Sequence, residues 1–414
     1  MTDGSGHTPA RSLRRRLLRA AAGLGALAVA PSARTQAPAG PGALPAGARD
    51  SALFDTLPGK APLIKRSYRP PNFETPTRAF SEPFTPNDAF FVRYHLSNIP
   101  QVEAAQWRLA VGGDGLDKAE EYTLDRLRAE FDLVEIAALC ACSGNRRGMS
   151  SPHVPGVQWG NGAMGNARWK GVRLKDVLAR SGVRAGALEV AFDGADTGVA
   201  EKTPDFVKSV PLWKAIDENT LIALEMNGEA LPHWNGFPAR VVVPGWTATY
   251  WMKHLTRVEV RMQPLQGFWM NPAYRIPKGR FPIVDRFLSQ ETDANTPITE
   301  MVVNSLIVNI RDQMMYRANT PLFVRGVAWD GGYGISRVDV STDAGRTWSA
   351  AELGTDLGRF SWRQWTYPFT PAPGEHVIMA RATNRIGATQ TFDLVFNPAG
   401  YHNNVVQPVT IRCA

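Results

Sequence analysis

From about residue 296 to the C-terminus, apolar and polar residues alternate in short runs, a pattern that buries one face only as a sheet. The runs are Met301 to Ile310, Pro321 to Trp329, Ser336 to Ser341, His376 to Thr383 and Thr391 to Phe396. Turn clusters separate them, notably Asp330-Gly331-Gly332 and Asp343-Ala344-Gly345, with residues that favour tight turns. No helical period interrupts the series. A single sheet would leave its apolar face in water, so two sheets packed face to face are expected.

Upstream the pattern is mixed. Thr123 to Phe131 reads as a short helix with a threonine N-cap, and Leu174 to Arg180 as another with Gly182 near its end. Arg240 to Val243 and Val258 to Met262 are β-branched runs expected to be strands. The fold class is therefore α+β. A mixed α/β domain over residues 84–290 precedes an all-β sandwich of immunoglobulin type over 291–414. No internal repeat is evident. The 414 residues are 44% hydrophobic and 20% charged, which excludes a disordered chain. No run of eighteen apolar residues follows the leader, so no membrane-spanning helix is expected.

The net charge of +8 is unevenly distributed. Residues 1–37 carry six arginines and one aspartate. The basic excess therefore belongs mostly to the leader and argues little for nucleic-acid binding. Leu13-Arg14-Arg15-Arg16-Leu17-Leu18-Arg19 reads as a twin-arginine signal. The weakly apolar stretch Ala20 to Ala30 follows it, with small-residue cleavage options after Ala33 or Ala37. The plainer reading is a basic amphipathic helix or a disordered tail. A signal of this kind exports folded proteins, which suits periplasmic residence and cofactor loading before export. Residues 38–83 are rich in Pro, Ala and Gly and read as an extended arm that either wraps a domain or hangs free.

Three cysteines, Cys140, Cys142 and Cys413, are too few to brace an exported fold. Pairing Cys140 with Cys142 would close a strained ring. There is no Cys-x-x-Cys-His for a c-type haem. In Cys140-Ala141-Cys142-Ser143-Gly144-Asn145-Arg146-Arg147, a thiol sits in a basic, turn-rich setting that favours thiolate. Taken alone, a packed structural cysteine explains it as readily. In Phe90-Phe91-Val92-Arg93-Tyr94-His95, the arginine and histidine lie two apart on one side of an extended segment. Gly236-Phe237-Pro238-Ala239-Arg240-Val241-Val242-Val243-Pro244-Gly245, followed by Tyr250-Trp251-Met252-Lys253, offers two basic groups suited to a phosphate. Gly267-Phe268-Trp269-Met270-Asn271-Pro272-Ala273-Tyr274 is an aromatic loop.

Together these segments, in this order, resemble the sulfite oxidase family of molybdenum enzymes. Val157-Gln158-Trp159, Ala167-Arg168-Trp169-Lys170-Gly171 and Val303-Asn304-Ser305 extend the resemblance, as does Gly345-Arg346-Thr347-Trp348. Within the family the fine pattern is similar to bacterial sulfite dehydrogenases, which pass electrons to a c-type cytochrome. The first domain would then bind molybdopterin and the second would mediate dimerisation.

The resemblance implies oxidation of sulfite to sulfate at a molybdenum held by a pyranopterin and by Cys142, with Cys140 a spare thiol. It implies Arg93, His95 and Tyr274 as catalytic residues. It places the pyranopterin against Phe91, Tyr94, His95, Asp196, Asn235, Arg240, Trp251 and Lys253, with Arg240 and Lys253 on the phosphate. Asn403 stands where the family pattern leads us to expect an arginine, which would cost the pocket one positive charge. The acceptor would be a separate cytochrome chain, and the C-terminal domain would make a homodimer or heterodimer. Related readings are a sulfane dehydrogenase subunit, a nitrate reductase, a sulfoxide reductase, or an exported binding protein without catalysis.

Overall fold

The computed structural model describes residues 54–282 and 286–414. The twin-arginine motif, its cleavage options and residues 38–53 of the arm lie outside the described residues.

The chain is rich in sheet and poor in helix. Among the described residues α-helix is limited to Leu124–Glu130, Leu174–Ser181 and Leu212–Ala215. The first starts as its sequence predicts, with the Thr123 hydroxyl accepting from Arg126 N at 3.1 Å, which satisfies one free amide of the first turn. The second ends at Gly182, where φ is +74°, a conformation glycine adopts without penalty. Here the α+β expectation stands only in coarse form, because few of the mixed signals became helices. Among the described residues no helix is long and apolar enough to cross a membrane.

Two five-strand assemblies carry the first domain. One runs Lys208–Pro211, Glu189–Gly194, Leu255–Arg261, Leu109–Gly112, Glu120–Tyr122. In the other, Leu221–Met226 pairs with Met164–Arg173, which pairs with Leu133–Ala141; Arg240–Val242 and Glu229–Ala230 add to Leu221–Met226. Both predicted β-branched runs are thus strands, within a few residues of their expected bounds.

The described part of the arm does not hang free. Phe54–Asp55, Leu63–Ser67 and Asn72–Glu74 form an antiparallel sheet whose fourth strand is Val92–Arg93. Pro and Gly in this stretch sit at its turns, while Leu63, Ile64 and Phe73 are fully buried. Composition read the turns and overlooked the short strands between them.

The C-terminal part holds two sheets. Asn304–Ile307, Leu322–Trp329, Arg363–Phe369 and Glu352–Leu353 form one. Met314–Tyr316, Pro408–Cys413, Gly374–Asn384, Ile335–Ser341 and Ser349–Ala350 form the other. Val324 and Trp365 of the first share an apolar core with Val338, Val340, Ile378 and Ile411 of the second. Thr391 to Phe396 is not a strand; only Thr391 makes an isolated bridge, to Val405. Both edges of Gly374–Asn384 are already taken, by Pro408–Cys413 and Ile335–Ser341. Alternation without a free edge cannot pair.

A separate apolar cluster binds this part to the first domain. Leu139, Ala141 and Met164 pack with Leu306, Val327, Trp329 and Trp362.

Candidate active site

The C-terminal half of the strand Leu133–Ala141, from Ala138 on, is buried on both faces. Ala138 and Cys140 enter the main core, while Leu139 and Ala141 face the C-terminal part. Period-two alternation carries the first face on to Cys142, and both thiols line one cavity. Cys140 is 1% exposed, and burial pushes its thiol up to about 11. Cys142 is less buried.

A tight turn fixes Cys142. Its amide donates to Ala163 O at 2.9 Å, and Asn145 N donates to its carbonyl at 2.9 Å. The Asn145 side chain accepts from Ala163 N. Gly144 leaves room for the Arg147 guanidinium, which a Cβ there would meet at 2.5 Å and displace. The facing loop is held from the arm: buried Glu74 accepts from Gly160 N at 2.9 Å and Gly162 N at 2.8 Å and pairs with Arg66.

The two arginines of this turn diverge. Arg146 has φ +67° and points away from the cavity, donating to Asn304 Oδ1 at 2.7 Å and Val405 O at 2.6 Å. Burial alone lowers its pKa to about 9. Arg147 donates to Ala399 O and lies over the Tyr401 ring, 5.3 Å from its centroid.

One wall of the cavity is polar. Arg240 donates to Asn235 O at 2.9 Å and to Trp251 O at 3.0 Å, with its guanidinium over the Trp169 ring. Lys253 donates to Arg93 O at 2.8 Å, and burial brings its pKa down to about 8. Asp196 is the carboxylate here, and burial raises its pKa. Asn235 lines the cavity with both amide ends engaged: Oδ1 accepts from Lys60 at 2.6 Å and Nδ2 donates to Phe91 O. Phe91 and Trp251 complete this side.

The opposite wall is aromatic. His95 stacks on Phe206, with ring centroids 3.6 Å apart and planes 11° apart, and its Nε2 is hydrogen-bonded to the Tyr274 hydroxyl. Burial, then the charges of Arg93, Lys253, Lys208 and Arg147, push His95 well below its usual pKa. The neutral imidazole is therefore the resident form. Tyr274 stacks on Tyr401 at 5.6 Å and adopts φ +59°. Arg93 stands beside it, donating to Asn72 Oδ1 and Tyr94 O.

The predicted residues Phe91, Arg93, His95, Cys142, Asp196, Asn235, Arg240, Trp251, Lys253 and Tyr274 all line this one cavity. Tyr94 does not. It is fully buried behind the wall, with its hydroxyl 2.6 Å from His254 Nε2 and Lys253 Nζ over its ring. Asn403 is also away from the cavity, donating to Arg146 O and accepting from Val405 N. Sequence reasoning did not single out Lys60 or Lys208, because nothing in a sequence marks a lysine as buried, and it gave Thr249 no role in the site.

The family description "Oxidoreductase molybdopterin binding domain" matches residues 95–269, and "Mo-co oxidoreductase dimerisation domain" matches 295–413. Human mitochondrial sulfite oxidase is 37% identical over 324 residues, covering 74% of this chain and 57% of that protein. The chain belongs to the sulfite oxidase family of molybdenum enzymes. Sulfite oxidase of Arabidopsis thaliana, another relative, is 31% identical and covers 76% of this chain and 81% of that one. The chain spans just over half the length of the mammalian relatives it matches. The sulfane dehydrogenase SoxCD of Paracoccus pantotrophus superposes with a TM-score of 0.72 at 25% identity, covering 86% of this chain and 87% of that one.

The cofactor of the family is molybdenum with molybdopterin, and the cavity fits it. Arg240 Nε and Thr249 Oγ1 are buried without a hydrogen-bond partner, and both residues line the cavity. Such donors are rare in folded proteins, and a phosphate-bearing pterin can engage both. Among the described residues, no three His, Cys, Asp or Glu side chains gather as a metal cage. A metal placed in this cavity would therefore draw most of its donors from the pterin itself.

Proposed function

We propose that this chain oxidises sulfite to sulfate in the periplasm and passes the electrons singly to a c-type cytochrome. The observation that carries the reading is the charge of the cavity. Arg93, Arg240 and Lys253 face a single carboxylate, Asp196, around the Cys142 thiol. Sulfite and the pterin phosphate are both anions, and each charge-assisted contact contributes about 1.5–3 kcal/mol.

When bound, the molybdenum centre supplies two-electron oxidation with oxygen-atom transfer, chemistry that side chains cannot perform alone. Cys142 would hold the metal as thiolate. Arg240, Lys253 and the Thr249 hydroxyl would hold the phosphate, with Phe91, Asp196, Asn235 and Trp251 around the pterin. Arg93 would offer its planar fork to a sulfite oxyanion. The Tyr274 hydroxyl, oriented by His95, would donate a hydrogen bond to the same anion. This requires the Nε2–H tautomer of His95, which donates to the Tyr274 oxygen and leaves the single phenol O–H for the anion. Phe206, Trp269 and Tyr401 would keep water from this side and strengthen each of these contacts.

The likeness to SoxCD supports a second reading, in which the substrate is a sulfane sulfur. In our reading the leader directs folded export, and the C-terminal sheets form an immunoglobulin-type dimerisation module.

The test is sulfite-dependent reduction of cytochrome c by the exported protein, with metal content measured on the same sample. Turnover with about one molybdenum per chain, the occupancy a single thiolate site implies, supports the proposal. Molybdenum without sulfite turnover, together with oxidation of a sulfane substrate, would replace it by the second reading.

A further inference from the structure

Lys208 is the one residue of the aromatic wall whose presence the stacking does not explain. It lies on the strand Lys208–Pro211 and is fully buried. Its terminal amine donates to Trp269 O at 2.6 Å, and burial brings its pKa down to about 7, so its charge is complete only below neutral pH. It also lies over two phenol rings, 4.9 Å from the centroid of Tyr250 and 5.2 Å from that of Tyr274. None of the ion pairs found among the described residues includes it. The carboxylate whose charge reaches it, Glu189, is occupied by Ser209, Ser289 and the Leu265 amide.

A buried ammonium without a carboxylate is costly, and a methionine of similar length would fill the space at less cost. Two features of the site give it a use. First, Tyr274 is held at φ +59°, a strained conformation for a bulky residue that persists only when its surroundings fix it. The loop before it is tied through Trp269 to Lys208 at O and to Pro204 at the indole N–H. Second, the charge of Lys208 is felt at His95, the partner of Tyr274.

We propose that Lys208 is a positioning residue for the anionic substrate. It pins the Trp269–Tyr274 loop to the sheet and places a positive charge over a face of the Tyr274 ring. The ring faces turn their negative quadrupole to the ammonium, which draws electron density from the hydroxyl end and makes Tyr274 a better donor to an oxyanion. The proposal rests on the reading of the cavity as an oxyanion site.

The experiment uses the molybdenum-loaded full chain and two variants. Lys208→Met removes donor and charge, and Lys208→Gln removes the charge while keeping an N–H. Inorganic sulfate binding is measured by calorimetry at fixed ionic strength and pH 6, below the pKa of Lys208, beside KM and kcat for sulfite, metal content and melting temperature. Both variants are expected to keep molybdenum and to bind sulfate about tenfold more weakly, the size of one partly screened charge contact. KM for sulfite should rise by a similar factor with kcat changed less, the sign of lost binding shared by ground and transition states. Wild-type sulfate affinity in either variant overturns the proposal. So does failure of both to fold, which would make Lys208 structural only. If the wild-type protein itself binds no sulfate, it is the oxyanion reading that fails.

Discussion

The two walls of the cavity differ in how complete they are. On the aromatic side, the His95 and Tyr274 polar atoms are bonded to each other and the rings are stacked. On the polar side, Arg240 Nε and Thr249 Oγ1 are buried with no partner. The difference teaches which wall is preorganised by protein alone and which is completed by a ligand. A satisfied network holds its geometry without help, whereas an unsatisfied one stays costly until a ligand engages it.

Four changes probe that contrast, starting with the largest expected effect. Cys142→Ser should abolish sulfite oxidation and release molybdenum, while Cys140→Ser, two residues earlier, should keep activity within about threefold, since a packed small thiol tolerates a near-isosteric change. Metal analysis and turnover on the same samples decide it, and reversed effects would show that the metal ligand is misassigned. Arg240→Met removes a buried cation from the polar wall. A broken charge contact of this kind costs about 3–5 kcal/mol, so pterin retention after gel filtration should fall by about a hundredfold or more. Normal pterin content would mean that the phosphate lies elsewhere. Tyr274→Phe on the aromatic wall should leave molybdenum bound and lower kcat/KM by roughly 10- to 100-fold, the usual size of one lost transition-state hydrogen bond or proton contact. Loss of cofactor in this variant would erase the distinction between the walls.

The smallest effect concerns stability. Lys60 braces the polar wall by donating to Asn87 O, Phe90 O and Asn235 Oδ1, and burial lowers its pKa to about 7 from an unfolded value of 10.5. Between those values the unfolded chain binds the extra proton, so this group's contribution to stability rises with pH and is lost as pH falls toward 7. The unfolding free energy of the wild-type protein relative to Lys60→Met should therefore increase from pH 7 to pH 10. Denaturant titrations at both pH values would detect it, and a flat difference would mean that Lys60 stays charged through the whole range.

Much of this arrangement was legible in the sequence, for reasons that differ by region. The C-terminal sheets follow from period-two alternation, which survives because one face of each sheet is buried. The run that failed, Thr391 to Phe396, failed because alternation says nothing about whether an edge is free. The residues lining the cavity were found by resemblance to a family, not by spacing. Spacing would have improved one choice: the alternation that puts Arg93 and His95 on one side puts Tyr94 on the other, where it lies. Lys60 and Lys208 were hidden because each is a polar residue in a buried place, specified by the three-dimensional fold and by no local pattern. The arm was hidden because strands of two, three and five residues leave too little periodicity to detect.

Arg146 ties the turn after Cys142 to Asn304 and Val405, and Glu74 and Lys60 brace the same cavity from the other end of the chain. During synthesis the thiol therefore emerges from the ribosome long before Asn304 and Val405, on which its turn leans. The turn that carries the thiol gains all of its contacts only once Val405 has been made, so a chain truncated before Val405 should hold molybdenum less tightly than the full chain.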